Sequence, residues 1–354
     1  MEVLTASPRS KPRKAERKPK GTVRVGIVGH GYWGPNLVRN FHDLPTAELI
    51  SVCDSQEERL RPLEKKFPFV KLTQRYQDLI TDRSLDALVI ATPISTHFEI
   101  ARRALRAGKH VLVEKPLAAT TKQGLSLTQL ARELDRVLMV GHTFEYHPAV
   151  LKVAELLKTK ELGKLYYIDS VRVNLGLHQS DGLNVIWDLA PHDISIILHW
   201  VKETPVRVSA WGQAFVQKGI EDVAFIRLEF PGGVLAYIHL SWLAPSKIRR
   251  MTVVGDKKMI IYDDMDSAEK IKIADRGAQL DLSNRELRVG YRLGDIVSPR
   301  LDTREALAEE CSHFIDCVLS GRSPRTGGAS GVEVVRVLEA AEKSIKRGGT
   351  SISL

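Results

Sequence analysis

Three stretches of the chain hold residues whose types and spacing suit chemistry on a small molecule. The first is Glu114-Lys115-Pro116, which follows the apolar run His110–Val113. If that run is a parallel strand, Lys115 stands at its carboxyl end, where open α/β sheets bind ligands. An ammonium there can hydrogen-bond a reacting oxygen and stabilise a developing alkoxide. An isolated lysine past a strand is also an ordinary surface group. The second stretch is Trp187-Asp188-Leu189-Ala190-Pro191-His192-Asp193. On a helix Asp188 and His192 are i and i+4 and share a face. The carboxylate would then orient the imidazole and raise its pKa. Pro191 makes regular helix here an inference, and an isolated Asp-x-x-x-His reads first as a capping aspartate with a structural histidine.

The third stretch is Gly29-His30-Gly31-Tyr32-Trp33-Gly34. Gly-x-Gly-x-x-Gly alone is a weak signal, but here it ends an expected strand and opens an expected helix. Gly29 allows the tight turn, Gly31 a close approach of backbone to a pyrophosphate, and Gly34 close packing of helix on strand. Free amides at the helix start hold the phosphates. Asp54 follows Gly34 by about 20 residues, the spacing at which an acid bonds a ribose 2′-hydroxyl. It would repel a 2′-phosphate, and Ser55 and Gln56 supply no adjacent arginine. The cofactor expected is therefore NAD.

The elements that must position these residues follow from periodicity. Val23–Val28, Leu49–Cys53, Ala87–Ala91, Val111–Val113 and Val137–Val140 are short, Val- and Ile-rich runs that read as buried parallel strands. Helical patterns over Pro35–His42, Gln56–Phe67, Thr96–Ala107 and Thr121–Leu134 lie between them. This alternation predicts a doubly wound sheet. After Gly141 the pattern changes to a helix at Pro148–Lys158, a strand at Tyr166–Leu175 and a helix at Val185–Trp200. Strand patterns follow at Val206–Phe215, Val223–Phe230, Val234–Trp242, Met251–Val254 and Met259–Tyr262, with Pro231-Gly232-Gly233 as a hairpin turn. Helices at Arg304–Leu319 and Gly331–Lys346 close the chain. The expected division is a basic tail over 1–21, an NAD-binding Rossmann domain over 22–142, and a substrate-binding and oligomerisation domain over 143–354. That second domain should be α/β with a largely antiparallel sheet.

Composition narrows the function classes. Of 354 residues, 43% are hydrophobic and 27% charged, an ordinary globular balance. The net charge of +9 suggests a polyanion partner. However, residues 1–20 hold seven Lys or Arg against Glu2 and Glu16, so the tail carries five of those charges. With Pro8, Pro12 and Pro19 and little to bury, the tail is expected to be disordered, and a nucleic-acid role rests on it alone. No apolar run is long enough for a bilayer and no secretory leader is recognisable, so a cytoplasmic protein is expected. Cys53, Cys311 and Cys317 form neither a disulfide framework nor a zinc motif, and no metal is expected. No tyrosine is followed four residues later by lysine, which excludes the Tyr-x-x-x-Lys pair of short-chain dehydrogenases.

Taken together, Gly29–Gly34, Ala91-Thr92-Pro93 with Thr96-His97, Gly108-Lys109-His110-Val111-Leu112-Val113-Glu114-Lys115-Pro116-Leu117, and Asp188-x-x-x-His192-Asp193 occur in a family order. Over roughly residues 22–347 the chain resembles the glucose–fructose oxidoreductase / inositol dehydrogenase / MocA (Gfo/Idh/MocA) family. The resemblance implies a Rossmann domain followed by an α/β domain with an open, mainly antiparallel sheet. It implies Lys115, Asp188 and His192 as catalytic residues: His192 the general base, Lys115 the oxyanion stabiliser, Asp188 the positioner of substrate or histidine. It places Gly29, Gly31, Tyr32, Trp33, Gly34, Asp54, Thr92, Pro93, His97, Glu114 and Lys115 at the cofactor. Tyr146, Arg172 and Asn174, with Asp188 and His192, fall to the substrate. If strand alternation holds, Arg172 and Asn174 share a sheet face, which is either a substrate wall or simply solvated. The stretch Tyr166–Gly176 is similar to a nucleotide-sugar branch that includes UDP-N-acetylglucosamine 3-dehydrogenases. The implied reaction is hydride transfer between a sugar carbinol and nicotinamide, at C3 of a UDP-N-acetylhexosamine or its uronate. Inositol or a free sugar is the alternative substrate, and a catalytically inactive dinucleotide sensor the alternative of another class. The expected partner is a sugar or nucleotide sugar, and the expected assembly a homodimer or homotetramer. If Lys115 and His192 are not catalytic, Tyr146, His147 and His178 remain as proton carriers.

Overall fold

The computed structural model describes residues 21–176, 182–281 and 288–354. The basic tail over 1–20 and His178 lie outside the described residues.

Strands β1 (Val23–Val28), β2 (Ala47–Cys53), β3 (Lys71–Thr73), β4 (Ala87–Ile90), β5 (His110–Glu114) and β6 (Leu138–Gly141) form one sheet in the order β3-β2-β1-β4-β5-β6. Every pairing in it is parallel. Helices α1 (Gly34–Asp43), α2 (Glu57–Lys66), α3 (Tyr76–Thr81), α4 (Ile94–Arg106) and α5 (Thr121–Glu133) connect the strands. The doubly wound sheet expected from the alternating runs is therefore present. Lys71–Thr73 and Tyr76–Thr81 were not expected as elements, because three residues with one apolar side chain carry no readable period. Strand order reverses between β1 and β4, which opens a crevice at their carboxyl ends.

The second sheet holds nine strands. Its members are β7 (Leu165–Leu175), β8 (Arg207–Gln213), β9 (Val223–Glu229), β10 (Leu235–Ser241), β11 (Leu243–Gly255), β12 (Met259–Asp263), β13 (Ile271–Asp281), β14 (Arg288–Val297) and β15 (Ile352–Ser353). They run in the order β14-β13-β12-β11-β7-β10-β9-β8-β15, with only β7 and β10 parallel. The expected hairpin at Pro231–Gly233 joins β9 to β10, with Gly232 at φ 74° and Gly233 at φ 86°. The pair β13 and β14 was not expected, since Arg, Lys and Asp interrupt its alternation.

Helix α6 (Pro148–Lys158) precedes β7, and α7 (Val185–Val201) lies against the inner face of the second sheet. Helix α7 runs unbroken through Pro191, although proline lacks an amide and crowds the carbonyl four residues back, at a cost of about 3 kcal/mol. Asn184 caps it by accepting from the Trp187 amide at 3.2 Å, and burial on nearly all sides keeps it helical. Asp188 and His192 thus do sit one turn apart on regular helix.

The chain then recrosses between the sheets. Helix α8 (Ala306–Ser320) follows the second sheet in sequence, yet Leu307, Cys311, Phe314 and Ile315 join the core of the first, with Phe314 edge-on to Phe41 at 6.4 Å. Helix α9 (Gly328–Lys346) packs on α5 and α7, and its buried Val332, Val335 and Leu338 belong to a core shared by both sheets.

Gly29 adopts φ 103°, and a Cβ there would overlap the Ala91 carbonyl. Gly29→Ala should therefore lower unfolding stability by about 1–3 kcal/mol and weaken NAD binding. Urea unfolding and an NAD titration read the two effects; a wild-type midpoint with wild-type affinity would contradict the assigned turn.

Candidate active site

The crevice is built from the glycine loop upward. The Gly29 amide donates to the Cys53 carbonyl at 2.8 Å, which ties the loop to the end of β2. A Cβ at Gly34 would lie 2.6 Å from the Gly29 carbonyl oxygen, so helix and loop can approach only because no side chain intervenes. Gly31 faces open space except for Arg59 Nη1, 3.5 Å from its would-be Cβ. No side chain caps the start of α1; Pro35 has no N–H and the Asn36 amide donates to the Trp33 carbonyl at 3.1 Å, which leaves the Gly34 amide to a phosphate oxygen. The residues present fit a dinucleotide. Tyr32 is 96% exposed at the loop tip, and Trp33 is half-buried at the N-cap.

Asp54 is buried. Its Oδ2 accepts the His30 amide at 2.7 Å and its Oδ1 the Gln56 amide at 2.9 Å. Each carboxylate oxygen keeps a lone pair for a further donor. One expectation needs correction. Asp54 has no arginine beside it in sequence, but α2 brings Arg59 Nη1 to 3.6 Å from Asp54 Oδ2. A cation therefore stands beside Asp54, held by its carboxylate.

Lys115 leaves the end of β5 and reaches α7, where its Nζ donates to the Asp188 carbonyl at 2.8 Å and lies 3.8 Å from Asp188 Oδ1. The Lys115–Pro116 peptide is cis. Asp188 Oδ2 in turn accepts Trp242 Nε1 at 3.2 Å. His192 is half-buried one turn along, edge-on to Phe144 at 5.1 Å, and its Nδ1 has no hydrogen-bond partner among the described residues. The structure thus brings Lys115, Asp188 and His192 together.

The expected charge effect on His192 is reversed. Burial, followed by the charges of Lys115, Arg172, Arg249 and His142, holds the imidazole well below its ordinary pKa. Asp188 does not raise it, because the carboxylate faces Lys115 and Trp242. Burial also lowers the Lys115 ammonium, against the opposing pull of Asp188 and Glu114. Glu114 is pushed up to about 7 by burial, and its carboxylate accepts the Lys115 amide at 3.3 Å.

Three other expected site residues are occupied differently. His97 is buried with Nδ1 on the Pro116 carbonyl at 2.9 Å and Nε2 on the Thr92 carbonyl at 2.7 Å. Both nitrogens are engaged, so His97 clamps the turn carrying Lys115 to the end of β4. Thr92 and Pro93 do lie at that strand end, Thr92 Oγ1 being 2.7 Å from Thr96 Oγ1. Tyr146 is buried, its hydroxyl 3.1 Å from Thr326 Oγ1 and its ring under the Arg325 guanidinium. It is a packing residue, which removes it from the substrate set. His147, the reserve proton carrier, caps α6 by accepting the Ala149 amide at 3.1 Å.

Arg172 is neither solvated nor free. Its Nε donates to Asp193 Oδ2 at 2.6 Å and its Nη2 to Oδ1 at 3.3 Å, while Ser170 Oγ donates to Oδ1 at 2.8 Å. Nη1 is buried without a partner among the described residues. Asn174, two residues on, is half-buried.

Sequence reasoning missed His142, Phe144, Asp193, Trp242 and Arg249. His142 is buried, neither ring nitrogen has a partner among the described residues, and burial lowers it to about 4. Only Asp193 had a readable signal, as the last residue of the Asp188-x-x-x-His192-Asp193 motif; the others stand at no fixed spacing from a motif.

A glycine loop on a parallel sheet, with a lysine at the end of β5 set against a neutral imidazole on α7, defines a dinucleotide-dependent oxidoreductase. The family model for an oxidoreductase family with an NAD-binding Rossmann fold matches residues 23–142, and that for the GFO/IDH/MocA C-terminal domain matches residues 150–261. The chain belongs to the Gfo/Idh/MocA oxidoreductase family and is an NAD(P)-dependent enzyme. It is 30% identical to the oxidoreductase YdgJ of Escherichia coli, over 81% of this chain and 83% of that one. It is 28% identical to UDP-N-acetylglucosamine 3-dehydrogenase of Acidithiobacillus ferrooxidans, over 88% and 94%. A solved structure of that enzyme superposes with a TM-score of 0.77 at 27% identity, covering 92% of this chain and 99% of that one. Myo-inositol 2-dehydrogenase of Thermotoga maritima is 25% identical over 92% and 96%.

Two predictions follow from this geometry. Asp193→Ala strands the buried Arg172 guanidinium and should cost about 3–5 kcal/mol of stability by urea unfolding, where a loss under about 1 kcal/mol would contradict the pair. Wild type should bind NAD more tightly than NADP. Asp54→Asn should shift that ratio toward NADP by on the order of tenfold, since it removes the charge opposing a 2′-phosphate and releases Arg59. Fluorescence titration of both cofactors reads it, and an unchanged ratio would refute the role of Asp54.

Proposed function

We propose that this enzyme oxidises a secondary alcohol of a sugar, with C3 of a UDP-N-acetylhexosamine or its uronate as the first candidate. The observation that carries the reading is a neutral imidazole, His192, on the same buried surface as the Lys115 ammonium, which follows the carboxyl end of β5. The relation to UDP-N-acetylglucosamine 3-dehydrogenase supports the candidate substrate. The relation to myo-inositol 2-dehydrogenase keeps a cyclic polyol as the second reading. A dinucleotide sensor without activity is disfavoured, because such a protein has no use for a base and an oxyanion donor held together.

In this reading Gly29, Gly31, Tyr32, Trp33, Gly34, Asp54, Thr92, Pro93, Glu114 and Lys115 hold NAD. Residues 22–142 form the cofactor domain and 143–354 the substrate and assembly domain. Bound NAD supplies the hydride acceptor. The substrate hydroxyl donates its hydrogen bond to the His192 imidazole and accepts one from Lys115 Nζ. His192 takes the proton as the carbinol carbon loses hydride, and Lys115 holds the charge that develops on oxygen until the ketone forms. Asp188 fixes the ammonium through its carbonyl and carboxylate.

A cytoplasmic homo-oligomer completes the reading. All three cysteines are free and buried, and no helix among the described residues is long and apolar enough to cross a membrane. The outer face of the second sheet exposes Trp211, Phe225 and Tyr237 on adjacent strands, a surface that a second copy would cover.

His192→Ala should lower kcat by about 10²–10⁴-fold with NAD binding retained, and Lys115→Ala should lower kcat by a similar factor. The pH profile of kcat/KM should fall on the acid side only below pH 6.5, because a depressed pKa keeps the imidazole neutral as pH drops through its ordinary value. On the alkaline side it should fall below pH 10.5, as Lys115 loses its charge early. NADH formation with UDP-sugars, inositols and free sugars is the measurement. Near wild-type rates in both alanine variants would refute the mechanism.

A further inference from the structure

Three charged or basic groups converge on one aromatic ring. The His192 ring centre lies 5.1 Å from that of Phe144, the Arg172 guanidinium carbon 4.8 Å and the Arg249 guanidinium carbon 5.9 Å. Resting on the sugar-oxidation reading above, we propose that the substrate carries an anionic substituent, a carboxylate or phosphoryl group, held by Arg172 and Arg249 beside the carbinol that faces His192.

Arg172 is 4% exposed, and its Nη1 is the one guanidinium nitrogen not directed at Asp193. A buried donor left unpaired is costly, and a ligand oxygen at that position removes the cost. Arg249 is about one-third exposed on the neighbouring strand β11, and its register partner on β7 is Arg172 itself. Its contact to Asp264 Oδ2 is long, at 3.4 Å. That carboxylate is shared with the Tyr262 hydroxyl at 3.3 Å and with Lys270 and His147 at 4.0 Å. Among the described residues, most of the five N–H donors of Arg249 therefore have no protein partner and can meet a ligand. A planar fork suits the paired oxygens of a carboxylate or phosphate.

The reaction itself argues for an anion over one more hydroxyl. When His192 takes the alcohol proton, it becomes a cation among Lys115, Arg172 and Arg249, and Asp188 and Asp193 are already committed to the first two. A negative substituent on the bound sugar offsets that field at the moment the proton arrives. It also lies within one hexose of the reacting carbon, since both guanidinium groups and the imidazole contact the same ring.

The test uses the full chain loaded with NAD and matched sugars. N-acetylglucosamine, its 1-phosphate, its 6-carboxylate, UDP-N-acetylglucosamine and the UDP-linked uronate separate the carboxylate source from the phosphoryl source. Wild type should favour a charged member over its neutral counterpart by about tenfold or more in kcat/KM, as expected for a charge-assisted contact. Arg249→Gln should lower kcat/KM for that charged member about tenfold more than for the neutral one, chiefly through KM, and Arg249→Lys should recover part of the loss. Thermal unfolding establishes that each variant is folded. Equal use of charged and neutral members by wild type, or an equal fall for both in Arg249→Gln, would overturn the inference. Failure of the sugar reading shows separately, as no NADH from any sugar or inositol. Calorimetric binding to the NAD-loaded protein then decides the arginine assignment. Binding of the charged sugars that is weakened in Arg249→Gln supports it, and binding absent or unchanged overturns it.

Discussion

An imidazole held neutral and a lysine paired with a carboxylate share one poorly hydrated surface, and much of the structure follows from that constraint. Burial penalises every charge in the crevice, so each cation needs a carboxylate at hand. Lys115 has Asp188, Arg172 has Asp193, and Arg249 has Asp264. His192 has no such partner at Nδ1 among the described residues, and the surrounding cations push its proton off. The burial that keeps the imidazole neutral also lowers Lys115, and Asp188 and Glu114 oppose that fall.

The two sheets divide the work of holding this arrangement. The parallel sheet provides the turn at Gly29, the uncapped start of α1 and the strand end from which Lys115 departs. The nine-stranded sheet provides Arg172 and Arg249 at paired positions on β7 and β11, and α7 carries Asp188, His192 and Asp193 between the sheets. Lys115 would swing freely if the sheets could shift, yet its contact with α7 needs a fixed separation. Helix α9 spans the shared core, and α8 returns to the first sheet, where Arg39 pairs with Glu305 at 2.6 Å. The recrossing chain keeps a contact between residues 73 positions apart at hydrogen-bond length.

Some residues that resemble ligands in sequence serve as braces instead. His97 joins the ends of β4 and β5 through its two ring nitrogens, which face the Pro116 and Thr92 carbonyl oxygens, and in doing so fixes the turn from which Lys115 starts. Tyr146 packs under Arg325 in the core of the first sheet. Asp54 has two tasks, since its oxygens secure the glycine loop and the start of α2 before any ribose hydroxyl is present.

The sequence by itself determined the parallel sheet, the glycine loop and the i, i+4 relation of Asp188 and His192, because period and short spacing are local properties of a chain. It also determined that Lys115 stands at a strand end, since the strand reads directly from its apolar run. It left β13 and β14 unread, because their alternation is broken by charge, and it made Pro191 look like a possible break in a helix that burial holds together. Only the tertiary structure decided which charges meet. Arg59 beside Asp54, Arg249 beside Arg172 and the cations around His192 come together across strands and helices far apart in the chain. The sign of the His192 shift was settled there too. Proximity in sequence suggested a carboxylate that would raise it, whereas burial and the cations arriving from other elements lower it, because electrostatic energy depends on distance and hydration in the folded state and not on order along the chain.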